Sequence, residues 1–123
     1  MTLLAVVLGA MVGAPARYLT DLVVQSRHGS ELPWGTVTVN VTGSLVLGVT
    51  AGALTGQATD HWLLLLVGTG FCGALTTFST FSFETVRLLQ QAHPRTAALN
   101  VLVSVVGALA ACAAGFAVAV SLT

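Results

Sequence analysis

Three long stretches of this chain contain no acidic or basic side chain. Residues 32–59, 61–83 and 96–123 lack Asp, Glu, Lys and Arg altogether. Each stretch is longer than the roughly 20 residues with which an α-helix crosses the hydrocarbon layer of a bilayer. A fourth apolar stretch runs from Leu3 to about Val24. The chain is therefore predicted to be an all-α membrane protein with four transmembrane helices. We expect one domain, residues 1–123, with spans at about 3–24, 33–55, 62–89 and 96–121.

The composition excludes several classes of protein. Apolar residue types make up 55% of the chain and charged types 7%, with a formal net charge of zero, whereas an ordinary soluble domain is roughly 25% charged. A nucleic-acid binder needs a basic face that this chain lacks. We find no nucleophile–base pair and no metal-ligand spacing in the sequence, so we predict that the protein is not an enzyme. A multi-pass membrane protein is the expected class.

Small and polar residues recur along one face of the second and fourth spans. Helices in lipid pack closely through small residues and a few interhelical hydrogen bonds. The amides of Asn40 and Asn100 and the hydroxyl of Ser104 are different, because a buried polar group is costly unless it is bonded. They predict either an interhelical clamp or a water-filled path. The residues of the two stripes are Thr36, Asn40, Ser44, Gly48, Gly52 and Gly56, and Asn100, Ser104, Ala108 and Gly115.

The third span is unusual for a simple lipid-facing helix. Glycines between Gly68 and Gly73 mark a point where a membrane helix can unwind, and residues 76–83 hold five hydroxyl side chains and three phenylalanines. A break at mid-membrane frees carbonyls that can ligate a cation and exposes a helix N-terminus that attracts anions. Phe78 and Phe81 would share one face, where their electropositive ring edges suit a small anion. A pore lining and a hydroxyl-rich packing interface both remain open on this pattern.

Arg17 lies four residues before Asp21 near the end of the first span. The two can form an ion pair on one helix face. Alternatively, Arg17 stands at the mouth of a water-filled vestibule and raises the local concentration of anions. The spacing alone is compatible with both.

Three motifs resemble the signatures of the Fluc (CrcB) family of fluoride channels. They fall in the family's order on the first, second and third spans, and the resemblance covers the whole chain. The third motif is highly specific. The motifs read Gly13-Ala14-Pro15-Ala16-Arg17-Tyr18, then Gly35-Thr36-x-x-Val39-Asn40-x-x-Gly43-Ser44, then Gly73-x-x-Thr76-Thr77-Phe78-Ser79-Thr80-Phe81.

The resemblance implies an antiparallel, dual-topology dimer of four-helix subunits, with the third helix broken between Gly73 and Thr76. Two narrow pores would let fluoride leave the cell passively. The backbone carbonyls of Gly73 and Thr76 would hold a structural sodium ion at the dimer axis, and Arg17 would lie in the vestibule. The implied pore residues are Phe78, Phe81, Asn40, Ser79, Thr80, Ser104 and Asn100. The fourth helix departs from a Tyr-x-x-x-Ser-x-x-x-Ser track found in some members, because it carries Asn100, Ser104 and Ala108.

The arginines bear on the partner of this subunit. Arg27 and Arg95 lie at the end opposite the predicted turn at residues 57–60, which carries no arginine. Arginine is enriched on the cytoplasmic side of membrane proteins, so the chain has a weak orientation bias. A homodimer ranks first, and a heterodimer with an oppositely oriented homologue is the alternative. The competing functions are a proton-coupled small multidrug transporter, which needs a mid-membrane carboxylate in the first helix, and a non-transporting scaffold.

Overall fold

The computed structural model describes residues 2–27, 32–55 and 61–122. Within these residues, four helical segments are long and apolar enough to cross a membrane, and no residue lies in a β-strand. The prediction of an all-α protein with four spans is confirmed. The turn predicted at residues 57–60 lies outside the described residues. The elements are α1 (Thr2–Arg27), α2 (Trp34–Ala53), α3 (His61–Leu63), a π-helical stretch (Leu64–Cys72), α4 (Gly73–Leu75), α5 (Ser79–Gln90) and α6 (Pro94–Leu122).

The third span is broken, as predicted, but the interruption begins later than the glycines suggest. Gly73 is helical, with φ −63° and ψ −36°. Thr76 is the first extended residue, with φ −79° and ψ 160°, and residues 76–78 separate α4 from α5. Gly68 and Gly70 instead lie in the π-helical stretch. The third span therefore has wider, π-helical turns at Gly68 and Gly70, and its helix is interrupted at Thr76, three residues after Gly73.

The π-helical stretch lies directly against α1. A methyl group added to Gly70 would come within 2.6 Å of the Val6 carbonyl oxygen, and one added to Gly9 would collide with the Leu66 carbonyl. The backbones therefore approach each other at a distance that only glycine permits. π-Helical turns are rare, and many occur at functional sites. Here the stretch leads straight into the break.

Helices α2 and α6 form the second close contact of the subunit. A methyl group at Gly48 would overlap the Cys112 carbonyl, and one at Gly115 would lie 2.7 Å from the Leu45 carbonyl oxygen. Because lipid tails are as apolar as the helices, such contacts are stabilised by van der Waals packing. The small-residue stripes predicted on the second and fourth spans thus meet each other.

Gly115→Ala should destabilise the subunit by about 1–3 kcal/mol, because the added methyl overpacks a backbone-to-backbone contact. Gly107→Ala on the same helix is the matched control, since its methyl would meet only a side-chain methyl of Val41, at 3.2 Å. Unfolding in detergent measures both. Equal stability of the two variants would contradict the close α2–α6 packing.

The interior of the subunit contains fully buried polar side chains, and its surface exposes many large apolar ones. Two of the three largest fully buried side chains are those of Thr36 and Asn100. Large apolar side chains such as Leu3 and Leu122 are more than three-quarters exposed. A surface of this kind is stable in lipid and would aggregate in water.

Candidate ion pathway at the break of the third span

A cavity of about 440 Å³ opens beside the break, between α2, the third span and α6. It brings together six of the residues that the sequence predicted for the site. These are Asn40, Gly73, Thr76, Phe78, Phe81 and Ser104. None of the described residues that line it carries a formal charge. An ion entering this space would therefore meet only dipoles, ring edges and backbone groups.

Phe78 and Phe81 stand together at the start of α5. Their ring centroids are 5.9 Å apart, and the rings are tilted by 48° to each other. Phe78 is 79% exposed although it lines the cavity. This large exposed ring at the mouth of the cavity, in a subunit with an apolar surface, is available to contact a second subunit or lipid.

The Asn40 side chain holds the broken backbone in place. Its Nδ2 donates a hydrogen bond to the Thr77 carbonyl at 3.0 Å, and its Oδ1 accepts one from the Thr77 amide at 2.7 Å. One amide therefore satisfies both backbone groups of a residue that no helix serves. Of the two predicted possibilities for this residue, the structure contains the interhelical clamp, and the same side chain also lines the cavity.

The two carbonyls predicted to bind sodium have lost their usual helical donors. In a continued α-helix, the amide of Thr77 would donate to Gly73 and that of Thr80 to Thr76. Instead the Thr77 amide donates to Asn40, and the Thr80 amide donates to the Thr77 hydroxyl at 3.2 Å. Both carbonyl oxygens have thus lost their helical donors at the break, and that of Thr76 accepts a long hydrogen bond from Arg17 instead.

Arg17 reaches the break from α1. Its Nη1 donates a long hydrogen bond of 3.4 Å to the Thr76 carbonyl. Asp21 lies elsewhere, against the backbone of α2, where a methyl group on Gly35 would collide with its carboxylate. Of the two predicted arrangements for Arg17, the structure therefore places its guanidinium at the break of the third span and not beside Asp21. Whether it serves as a vestibule residue stays a prediction.

A chain of hydrogen bonds joins α6 to α5 behind the cavity. The Ser104 hydroxyl donates to Asn100 Oδ1 at 3.3 Å, and Asn100 Nδ2 donates to the Thr85 hydroxyl at 2.8 Å. Thr85 in turn donates to the Phe81 carbonyl at 2.8 Å. Asn100 is completely buried, so it supports the cavity wall, while Ser104 and Ala108 face the cavity itself.

Ser79 and Thr80 begin α5 on its exposed side. The Ser79 hydroxyl lies 3.4 Å from that of Thr77. Neither residue is among those that line the cavity of the single subunit. Their predicted place on a fluoride route therefore requires a second surface beside α5.

A comparison with known protein families decides the affiliation of the chain. Residues 4–116 match the family described as CrcB-like protein, Camphor Resistance (CrcB). The chain belongs to the CrcB-like family. As a CrcB-like protein with four spanning helices, it is a multi-pass protein of the bacterial plasma membrane.

Close relatives of this CrcB-like chain carry an explicit functional name. A protein of Streptomyces avermitilis is 53% identical over 94% of this chain and 93% of its own length. One from Frankia casuarinae is 52% identical over 97% of this chain and 96% of its own length. One from Nocardia farcinica is 52% identical over 96% of this chain and 78% of its own length. All three are named fluoride-specific ion channel FluC 1.

Two contacts in the CrcB-like site went unpredicted. The Thr77 hydroxyl, two residues before the start of α5, accepts the Thr80 amide three residues on, a spacing that is typical of threonines near helix N-termini. That spacing was readable in the third motif. The partner of Asn100, Thr85, was not readable, because only the packing of α5 on α6 brings the two together.

Proposed function

We propose that the chain is a fluoride-selective channel that lets cytoplasmic fluoride leave the cell passively. The observation that carries the proposal is the pair Phe78 and Phe81, tilted against each other at an uncharged cavity beside a broken membrane helix. The names of the relatives from Streptomyces and Frankia agree with it. A passive channel is not an enzyme, and no residue is given a catalytic role.

The chemistry of the lining suits a small, weakly polarisable anion. Ring edges carry positive partial charge and hold an anion without the strong binding of a formal cation. Conduction requires binding that permits exit as well as entry. Ser79, Thr80 and Ser104 would add hydroxyl donors along the route and Asn40 an amide donor, while Asn100 would act on the route through Ser104, from whose hydroxyl it accepts a hydrogen bond. Arg17 would attract anions toward the entrance.

We propose that two subunits assemble antiparallel and form two pores. The exposed Phe78 ring and the exposed hydroxyls of Ser79 and Thr80 support this arrangement, because one subunit leaves them uncovered. A homodimer inserted in both orientations is the first choice. Arg27 lies at the C-terminal end of α1 and Arg95 in the first turn of α6. Arginines at one side of the membrane favour one orientation of the chain, which supports a heterodimer with an oppositely oriented homologue as the alternative.

The same proposal includes a structural sodium ion between the subunits. The carbonyls of Gly73 and Thr76 suit a hard cation, because unwound backbone carbonyls at mid-membrane are common sodium ligands and both have lost their helical donors. To bind sodium, the Thr76 carbonyl would have to release its long hydrogen bond from the Arg17 guanidinium. Two carbonyls from each subunit would surround the ion. The ion would add positive charge at the dimer axis and hold the two breaks together.

Removing sodium should weaken the dimer. If sodium is present at 100 times its dissociation constant, its loss removes roughly 2.7 kcal/mol of stabilisation. Dimer dissociation in detergent, measured in sodium and in N-methylglucamine salts, tests this. Thr76→Ser is the matched control, because it keeps the carbonyl and should respond to sodium as the wild type does. A dimer indifferent to sodium would contradict the site.

Fluoride efflux from liposomes that contain this purified chain tests the function, with chloride as the control ion. Rapid release of fluoride alone is the expected result. If the folded chain is silent by itself, it is co-expressed with an oppositely oriented homologue and measured again. Silence from the pair would contradict the channel and favour the scaffold. Release that depends on a proton gradient would favour the transporter.

A further inference from the structure

The cavity beside the break is lined by five polar side chains, and four of them already have partners. The Thr76 hydroxyl donates to the Cys72 carbonyl at 2.8 Å, and that of Ser104 to Asn100. The Thr77 hydroxyl accepts from the Thr80 amide, and the Asn40 amide is engaged with the Thr77 backbone. Because a hydroxyl has a single hydrogen to donate, Thr76 and Ser104 must give up an existing bond before they can bind a ligand.

Ser44 is the fifth polar residue that lines the cavity, and its hydroxyl differs from the other four side chains in its hydrogen bonding. It is half-buried on α2, one turn after Asn40, and lines the same cavity. Its hydroxyl makes no hydrogen bond within the residues that the structure describes. Serine and threonine in a helix commonly donate to the carbonyl four residues back, as Thr50 on this helix does to Val46, at 2.8 Å. Ser44 leaves that bond unmade and keeps its donor for the cavity.

A hydroxyl without a partner at an apolar wall is unfavourable unless something in the cavity bonds it. Around Ser44 the wall is formed by Gly43, Leu47 and the α6 residue Leu109. The rings of Phe78 and Phe81 line the same space. The cavity thus combines positive ring edges with a hydroxyl, that of Ser44, which has no hydrogen-bond partner among the described residues.

We infer that the Ser44 hydroxyl is a fluoride-binding group of this chain, donating a hydrogen bond to the ion while Phe78 and Phe81 meet it with their ring edges. The inference rests on the proposed function and adds a residue to it. Fluoride is a small, strongly hydrated ion and needs a donor in place of each water it gives up. An O–H donor without formal charge replaces one such water and still lets the ion leave.

The inference is tested by measuring fluoride efflux from liposomes that contain the Ser44→Ala variant. The variant is prepared in the form in which the wild type releases fluoride, either as the single chain or as the co-expressed pair. A hydrogen bond to a charged group contributes enough that its loss should slow fluoride efflux roughly tenfold or more. The fluoride concentration that gives half-maximal efflux should rise as well. Ser44→Thr keeps the hydroxyl and should retain most of the efflux. The matched control is Thr42→Val, which removes an exposed hydroxyl from the same helix outside the cavity.

The outcomes separate this inference from the proposed function. Slowed efflux in a folded Ser44→Ala protein, with rescue by Ser44→Thr and no effect of Thr42→Val, supports the binding role. Wild-type efflux and half-saturation in Ser44→Ala would overturn it and leave the channel standing, with water as the partner of this hydroxyl. Absence of fluoride release from the wild type in both preparations would overturn the channel, and this inference with it.

Discussion

Phe78→Ile should slow fluoride efflux by up to about tenfold while the protein still folds and assembles. Isoleucine fills a similar apolar volume, but its chain has no electropositive edge to face the ion. The lost interaction is taken as at most about 1.5 kcal/mol, by analogy with the upper end for edge-to-face aromatic pairs, and each 1.36 kcal/mol of barrier is a factor of about ten in rate. Phe81→Ile should act in the same direction, since the two rings stand 5.9 Å apart at one cavity.

The control for this experiment is Phe83→Ile. Phe83 lies on the same helix and is 64% exposed, but it does not line the cavity, so its replacement should leave efflux near the wild-type rate. Reconstituted efflux, normalised to folded protein in the membrane, measures all three variants. A scaffold would tolerate any large apolar residue at Phe78. Wild-type efflux from a folded Phe78→Ile protein would therefore contradict the assignment of the Phe78 ring to the pore.

The spans of this protein were predictable because charge is so expensive in a bilayer. An uncharged stretch of more than about 20 residues has few alternatives to a membrane helix, and the described residues contain the four predicted apolar helical segments, the third of them broken. The break was also predictable, since Gly68–Gly73 and the hydroxyl-rich run after it weaken a regular helix. The residue at which the break begins was not predictable. Thr76 is extended at the point where Asn40 of α2 accepts a hydrogen bond from the Thr77 amide, and this contact depends on the packing of two helices.

The site was readable as a set of residue types but not as a set of contacts. Asn100 and Ser104 were grouped with the pore because the family resemblance implied it, and their polarity alone left a clamp or a water-filled path open. The structure buries Asn100 completely and gives its amide to Thr85, while Ser104 remains at the cavity wall. The difference comes from the rotation of α6 against α5, which hydropathy does not encode. The π-helical stretch is equally invisible, because it changes the hydrogen-bond spacing and not the apolar character of the segment.

Asn40→Ala should lower the free energy of unfolding by about 2–4 kcal/mol. The change leaves both the amide and the carbonyl of Thr77 without partners, and each unsatisfied group costs about 1–3 kcal/mol. The lower part of the combined range applies because the site is only half-buried and water can reach it. Fluoride efflux should fall as well, since the same amide fixes the residue that precedes Phe78. Chemical unfolding in detergent, followed by efflux measurements on the folded fraction, gives both values.

Asn100→Ala is the control that distinguishes a general loss of stability from a loss of the helix break. It also removes an interhelical amide, but one that joins α6 to Thr85 rather than holding Thr77. We therefore expect both variants to be less stable, with the sodium dependence of the dimer lost only in Asn40→Ala. The reason is that Asn40 fixes the Thr77 backbone at the break, and without it the Gly73 and Thr76 carbonyls lose the defined positions that a cation requires. An Asn40→Ala dimer that still responds to sodium as the wild type does would show that the break forms without its clamp.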